Sequence, residues 1–406
     1  MNCGGEVGWT PAITLAAIAL LPGCGRDEPT PAAPAVAVAR GGASIAHIER
    51  SGDRQVVVRD GQRVGGEFAE LGNLTFSPSG AVVVCKATSE GKEMVLKDGV
   101  KVGGAYDWVG RPTLSRDGGS VAFVARSGAR QFIIRDGRNV SATYRDAEQP
   151  AFSANGRSFA FRAGGGPNKD VIVKDGQEHG ARYKTIGAWA LSPNGNILAF
   201  VAHDGESNFV VRNSVELYRE LGADCFAQPV FSPNGKSLAV GVRKDNRWSV
   251  IRDGVQVGGT YDEVRLPVFS ADGASLLFAA TSGEKEFLIR NGSRVGERYD
   301  AIWGWTFSPD GASVAFGAKS GSDRCMVRNG SPGKRYDGVG LPVFSPDSRS
   351  LAFTAWSGKR CFVVKDGRSA GGTYDRISRL ETSADGAKLV FAGVRAGAVS
   401  RVEIPW

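Results

Sequence analysis

Three histidines and six cysteines are the residues of this 406-residue chain from which metal or nucleophile chemistry would ordinarily be built. Their spacing builds neither. His47, His179 and His203 are isolated, with no HExxH and no second histidine four residues away to make a zinc pair. No GxSxG occurs, so a nucleophile elbow is absent. "AGGGPNKD" at 163–170 is the one glycine cluster that resembles a phosphate cradle, but no GK[ST] follows it and an enlarged hairpin loop is expected. "HDGESN" and "RKDNRW" offer oxygen ligands without the spacing of an EF-hand loop. Cys85, Cys225, Cys325 and Cys361 are far apart and form no CxxC, so they read as small core residues or free thiols rather than a disulfide framework. No catalytic residue, metal ligand or cofactor is assigned from the sequence.

The carboxylates point to structure before chemistry. Asp272, Asp310 and Asp385 each precede the glycine of a tight turn, where local hydrogen bonding favours aspartate. Those turns recur. Alignment on the turn glycine gives Gly80, Gly118, Gly156, Gly195, Gly235, Gly273, Gly311, then Ser348 in the place of glycine, and Gly386, at spacings of 37 to 40 residues. Gly42 lies 38 residues before Gly80, so a degenerate earlier copy is expected to begin near Ala35. A period so constant is the mark of stacked supersecondary units.

Each unit contains four strands. In the copy starting near Gly304, "WTFSPDG" runs into a turn where Pro309 presets φ and Gly311 accepts a positive φ, and "SVAFGAK" returns. "SGSD" turns into "RCMVRNG", and Asn329-Gly330 is a two-residue hairpin turn leading to "PGKRYDGV". A basic residue followed by Asp or Asn recurs at nine such corners, from Arg59-Asp60 to Lys365-Asp366. All eight tyrosines fall in one further column, which assigns them to packing between units rather than to catalysis. The second strands read "SVAF", "SFAF", "ILAF", "SLLF" and "SLAF", apolar at successive positions, as in a strand covered on both faces. With 56 glycines, 42% apolar and 23% charged residues, the predicted fold is all-β: a β-propeller of four-stranded antiparallel blades, about 9–10 repeats of ~38 residues.

The N-terminus reads as an address. Residues 1–23 contain an uncharged apolar core from Pro11 to Leu21, too short to span a bilayer, ahead of Leu21-Pro22-Gly23-Cys24. That tetrapeptide resembles the lipobox of bacterial lipoproteins, with Pro22 where the family usually has Ala, Ser, Thr or Val. The resemblance implies removal of 1–23, acylation of Cys24 and attachment to the cell envelope, on the periplasmic side of the outer membrane or at the cell surface. The Pro/Ala-rich stretch 24–37 suits a flexible tether, and 38–406 is the repeat array, read as one continuous array with two rings split near 222 as the alternative.

The "FSPDG…LAF" units resemble the TolB-type propeller repeat, a WD-repeat-like bacterial module, and the likeness covers about 38–406. It implies a protein partner in the envelope. The formal net charge of +8 comes from dispersed basic residues with no run of five like charges, so no nucleic-acid partner is expected. Trp108, Trp189, Trp303 and Trp305 break the repeat at or just before the first strand, and are the candidate binding residues if exposed together. Blade-to-blade packing is their ordinary alternative. Arg111, Arg145, Arg265 and Arg298 are candidates for the same region. The expected function is a non-catalytic, envelope-anchored interaction scaffold. An enzyme or small-ligand sensor using the propeller channel, and peptidoglycan or carbohydrate binding through the tryptophans, are the alternatives.

Overall fold

The computed structural model describes residues 36–38, 44–164, 170–180, 183–221, 223–383 and 385–406. The signal segment, Cys24, nearly all of the tether and the centre of the 163–170 loop lie outside the described residues. Every regular element described is a strand. The strands form ten antiparallel sheets among the described residues, each built from consecutive strands of the chain. They are numbered here as blades 1 to 10 and span residues 36–68, 70–106, 108–139, 146–179, 185–221, 223–256, 263–299, 301–336, 338–374 and 376–405. The fold class is that of the β-propellers, with four-stranded antiparallel blades.

Blade 8 shows how the sequence forms the unit. Its first strand, Ala301–Phe307, ends in the Ser308–Gly311 turn and returns as Val314–Ser320, pairing Phe307 with Val314. Ser308, 1% exposed, accepts the Ser313 N–H at 2.9 Å, and its hydroxyl donates to the Asp310 carboxylate, which also accepts the Ala312 N–H at 3.0 Å. The tight turn is therefore closed by side chains as well as backbone. Asp323–Arg328 pairs next, and Asn329-Gly330, at φ 50° and 85°, makes the two-residue turn into Ser331–Tyr336. Two successive positive φ angles match the right-handed twist of the flanking strands.

In eight of the ten blades the first strand departs from regularity near its middle. It is bulged in blades 2, 7 and 8, between Gly72 and Thr75, Arg265 and Val268, and Trp303 and Thr306. In blades 3, 4, 6 and 9 it breaks into two short pieces with Pro112, Pro150, Pro229 or Pro342 in the gap. Proline supplies no N–H to the ladder, which is why the break falls there. Blade 10 is broken as well, at 378–380, and is completed by only two more strands, Lys388–Arg395 and Ala398–Pro405.

Consecutive blades bury their faces on each other. The second strands of blades 3, 7, 8 and 9 are buried at five successive positions, which a one-sided sheet would not show. Between blades 7 and 8 the core contains Leu277, Leu288, Ile302, Phe316 and Val327, all at most 2% exposed. The tyrosine column lines such seams: Tyr299 meets Phe316 of the next blade edge-on at 5.9 Å, and Tyr336 meets Phe353 at 6.1 Å. Their hydroxyls often bond to protein rather than water: Tyr106 accepts the Gly104 N–H, and Tyr144 donates to Glu178. The chain divides into two compact units whose boundary crosses blade 5 between residues 187 and 206, with blades 1–4 in one and blades 6–10 in the other.

Candidate functional site

His47 bonds Glu49 at 2.8 Å, His203 accepts the Gly205 N–H at 3.0 Å, and burial beside Lys174 holds the His179 imidazole below its ordinary pKa. The three lie on blades 1, 5 and 4. Among the described residues no three His, Cys, Asp or Glu side chains gather as a metal site. Cys85, Cys325 and Cys361 are free thiols, and burial pushes that of Cys85 up to about 12, which suppresses its thiolate. The side chain of Cys225 lies outside the described residues. Asp245-Asn246 of "RKDNRW" is a two-residue hairpin turn, both with positive φ. Strands Phe159–Gly164 and Asp170–Lys174 pair on either side of "AGGGPNKD", so that segment does bridge a hairpin.

The basic corners do more than turn the chain. The Arg290 guanidinium crosses to blade 8, donates at 2.9 Å to both Ala312 O and Gly311 O, and lies 5.5 Å from the centre of the Phe307 ring. Arg252 does the same to Ala274 O, Gly273 O and Phe269, and Arg59 to Ala81 O, Gly80 O and Phe76. A second column caps the following blade: Glu286 accepts the Ile302 N–H at 2.8 Å, Glu93 that of Val109 and Gln131 that of Ala147. These clamps and caps were invisible as motifs because each partner sits in the next repeat.

The four candidate tryptophans are each half-buried. Trp108 is half-buried against the core of blades 3 and 4, with the Arg126 guanidinium over its ring at 5.8 Å. Trp189 is half-buried in the first strand of blade 5. Trp303 packs against the core shared by blades 8 and 9, and Trp305, two residues on, against that of blades 7 and 8. The bulge between Trp303 and Thr306 turns them to opposite sides. Gly317 lies opposite Trp303; a Cβ there would fall 2.4 Å from the indole. Arg265 pairs with Glu286 at 2.5 Å and covers Trp305, Arg298 lies over Phe287, and Arg111 and Arg145 are exposed.

A different tryptophan is open. Trp356, on the second strand of blade 9 (Leu351–Ser357), is 38% exposed and stands beside Leu341, 48% exposed, in the gap of the first strand. With Val343 and Thr354 they form one wall of a cleft of about 210 Å³ whose other wall is Ile377, Ser378, Arg379 and Leu380 of blade 10. The Trp356 indole lies back across Gly338, where a Cβ would meet the ring at 3.0 Å. Residues at the equivalent register in other blades are Thr88, Arg126, Arg243, Thr281 and Lys319. The signal was present in the sequence as a hydrophobic exception in a polar column, but on a strand with no other marker.

No protein-family model matches this chain, and no curated protein matches it in sequence. Among solved structures it is similar to TolB from Acinetobacter baumannii, at 19% identity over 52% of this chain and 58% of TolB, with a TM-score of 0.26. It is also similar to the Dos1 propeller (12% identity, 72% of this chain, 90% of that one, TM-score 0.36). A third is the Cps50 (Swd1) β-propeller domain of Myceliophteria thermophila (14% identity, 62% and 94%, TM-score 0.29). The chain thus spans little more than half the length of the TolB it matches.

Proposed function

We propose that this chain is a non-catalytic propeller scaffold that holds a protein partner in a bacterial envelope, anchored through an acylated Cys24. The observation that carries the scaffold reading is how polar groups are used. The turn Ser and Asp residues, the corner arginines and the capping Glu and Gln residues are bonded within and between blades, whereas the surface that breaks the repeat is an apolar cleft. A site that binds by shape and apolar contact suits recognition of a protein surface. The anchor rests on the sequence Leu21-Pro22-Gly23-Cys24 and the apolar core before it.

Chemical crosslinking of the full chain in its native envelope, read by mass spectrometry, tests the scaffold. Reproducible crosslinks to one or a few proteins are expected, and their absence from an intact, folded chain overturns it. Labelling with radioactive palmitate tests the anchor: incorporation is expected in the full chain and not in Cys24→Ala. Equal labelling of both would remove Cys24 from the account.

A further inference from the structure

We propose that the cleft between blades 9 and 10 takes an extended segment of a partner protein in which one large apolar side chain lies beside a carboxylate. The proposal rests on the scaffold reading and names the chemistry of its partner.

Size and lining give the apolar half. A dry apolar cavity of ~150 Å³ takes up a benzene ring, so an open cleft of about 210 Å³ accommodates one leucine, phenylalanine or tryptophan side chain with part of its backbone. Leu341, Val343, Ile377, Leu380 and the Trp356 indole would surround it. Large apolar anchors seated in such pockets dominate the energetics of protein interfaces.

Arg379 gives the charged half. It lines the cleft, it is exposed, and among the described residues it makes no ion pair; nor does Arg376, one strand piece earlier. By contrast, Arg265 of blade 7 pairs with Glu286 and Lys388 of blade 10 with Glu403. An uncompensated guanidinium beside an apolar cleft is complementary to a carboxylate one or two residues from the anchor, through a charge-assisted bond that is often bidentate. Polar lining atoms are too few for a sugar. The Ser378 hydroxyl is already used by the Ala392 N–H at 2.9 Å and the Arg379 carbonyl at 3.1 Å, which leaves Thr354 as the remaining hydroxyl. A carbohydrate ring needs several such partners for its own hydroxyls.

Blades 9 and 10 also lack the cap and the clamp that tie blade 7 to blade 8. At the position of the Glu286 cap stands Cys361, whose thiol donates to the Tyr374 carbonyl at 3.4 Å, and at that of the Arg290 clamp stands Lys365, which reaches Pro405 O at 2.8 Å.

The test is selection of a phage library displaying random twelve-residue peptides on the immobilised full chain, followed by anisotropy titration of the enriched peptides carrying fluorescein. Enriched sequences are expected to place Leu, Phe or Trp within two positions of Asp or Glu. Arg379→Glu should weaken them at least tenfold, and replacing the peptide's acidic residue by Lys should restore affinity to that variant. Leu341→Ser, an exposed position whose change leaves the fold intact, should weaken them as well. Enrichment of peptides without an acidic residue, affinity indifferent to both substitutions, or competition by solubilised peptidoglycan with no peptide enriched would each overturn the proposal. If envelope crosslinks to a protein map away from blades 9 and 10, the cleft proposal fails and the scaffold stands. If no protein crosslinks anywhere, both fail.

Discussion

Between blades 7 and 8, Glu286 caps the Ile302 N–H and Arg290 holds two turn carbonyls while covering Phe307. Between blades 9 and 10 the same two positions are Cys361 and Lys365, and neither reaches the equivalent partner. The rest of the seam is retained. Tyr374 meets Phe391 edge-on at 5.6 Å, as Tyr299 meets Phe316 at 5.9 Å, and Leu389 and Phe391 are buried behind it. The two seams therefore share their ring contact and apolar core and differ in the polar ties beside the first strand. The apolar core holds two blades together by area, and the cap and clamp add polar ties beside the first strand. Where both are missing, the gap of the broken strands stays open and lined with leucine, isoleucine and tryptophan.

That comparison breaks most visibly in the core. Phe316→Ala, at a fully buried position, is expected to cost about 3–5 kcal/mol, whereas Trp356→Ala on the open cleft should cost less than ~1 kcal/mol. Urea unfolding midpoints of the two variants check this. A loss for Trp356→Ala equal to that of Phe316→Ala would make the cleft part of the core. The ties come next. Arg290→Ala removes charge-assisted bonds to two carbonyls and a ring contact and should cost about 2 kcal/mol, against less than ~1 kcal/mol for Lys365→Ala with its single bond. Equal losses would mean that the two seams are tied alike.

How much of this was legible beforehand follows from the range of each interaction. The hairpins, their Asn-Gly and Asp-Gly corners and the ~38-residue period could be read because turn chemistry is local, and Asn329-Gly330 adopts the expected pair of positive φ angles. The five-residue buried run in Val314–Ser320 likewise announced a sheet covered on both faces. The clamps could not be read: Arg290 meets Ala312 twenty-two residues on, in a different blade, and a basic residue before Asn-Gly already had a sufficient local reason to be there. The surroundings of the tryptophans could not be read for a related cause. Trp303 and Trp305 break the repeat, yet the bulge beside them sends one ring to each neighbouring core. Trp356 breaks it too, but its exposure depends on where blade 10 lies.

Acid tests whether the turns, unlike the caps and clamps, are uniform. The carboxyls of Asp272, Asp310, Asp347 and Asp385 are all held below the ordinary aspartate value of 3.8, first by the hydroxyl of the serine two residues before and then by a backbone N–H. A lowered pKa in the folded state means that the unfolded chain takes up protons first as pH falls. The stability from these bonds is complete above the ordinary aspartate range and is lost as pH drops through it towards the folded values. Thermal midpoints should therefore fall below about pH 4, and Ser308→Ala and Ser383→Ala should each lessen that dependence, blade 8 and blade 10 alike. A midpoint that did not change with pH there would remove the turn bonds from the account.

The smallest effect lies at Ser348, the one copy in which the turn glycine is replaced. Its φ of +66° is a conformation that serine adopts at a cost of about 1 kcal/mol, and its buried hydroxyl accepts the Asp310 N–H of blade 8 at 3.0 Å. Ser348→Gly relieves the backbone and forfeits the bond, two changes of similar size, so stability should stay within ~0.5 kcal/mol. Ser348→Ala forfeits the bond and keeps the strained backbone, so it should fall about 1 kcal/mol below the glycine variant. The order of the two variants is the informative result. If alanine matches serine, the hydroxyl contributes nothing, and the tie between the turns of blades 8 and 9 is apolar contact alone.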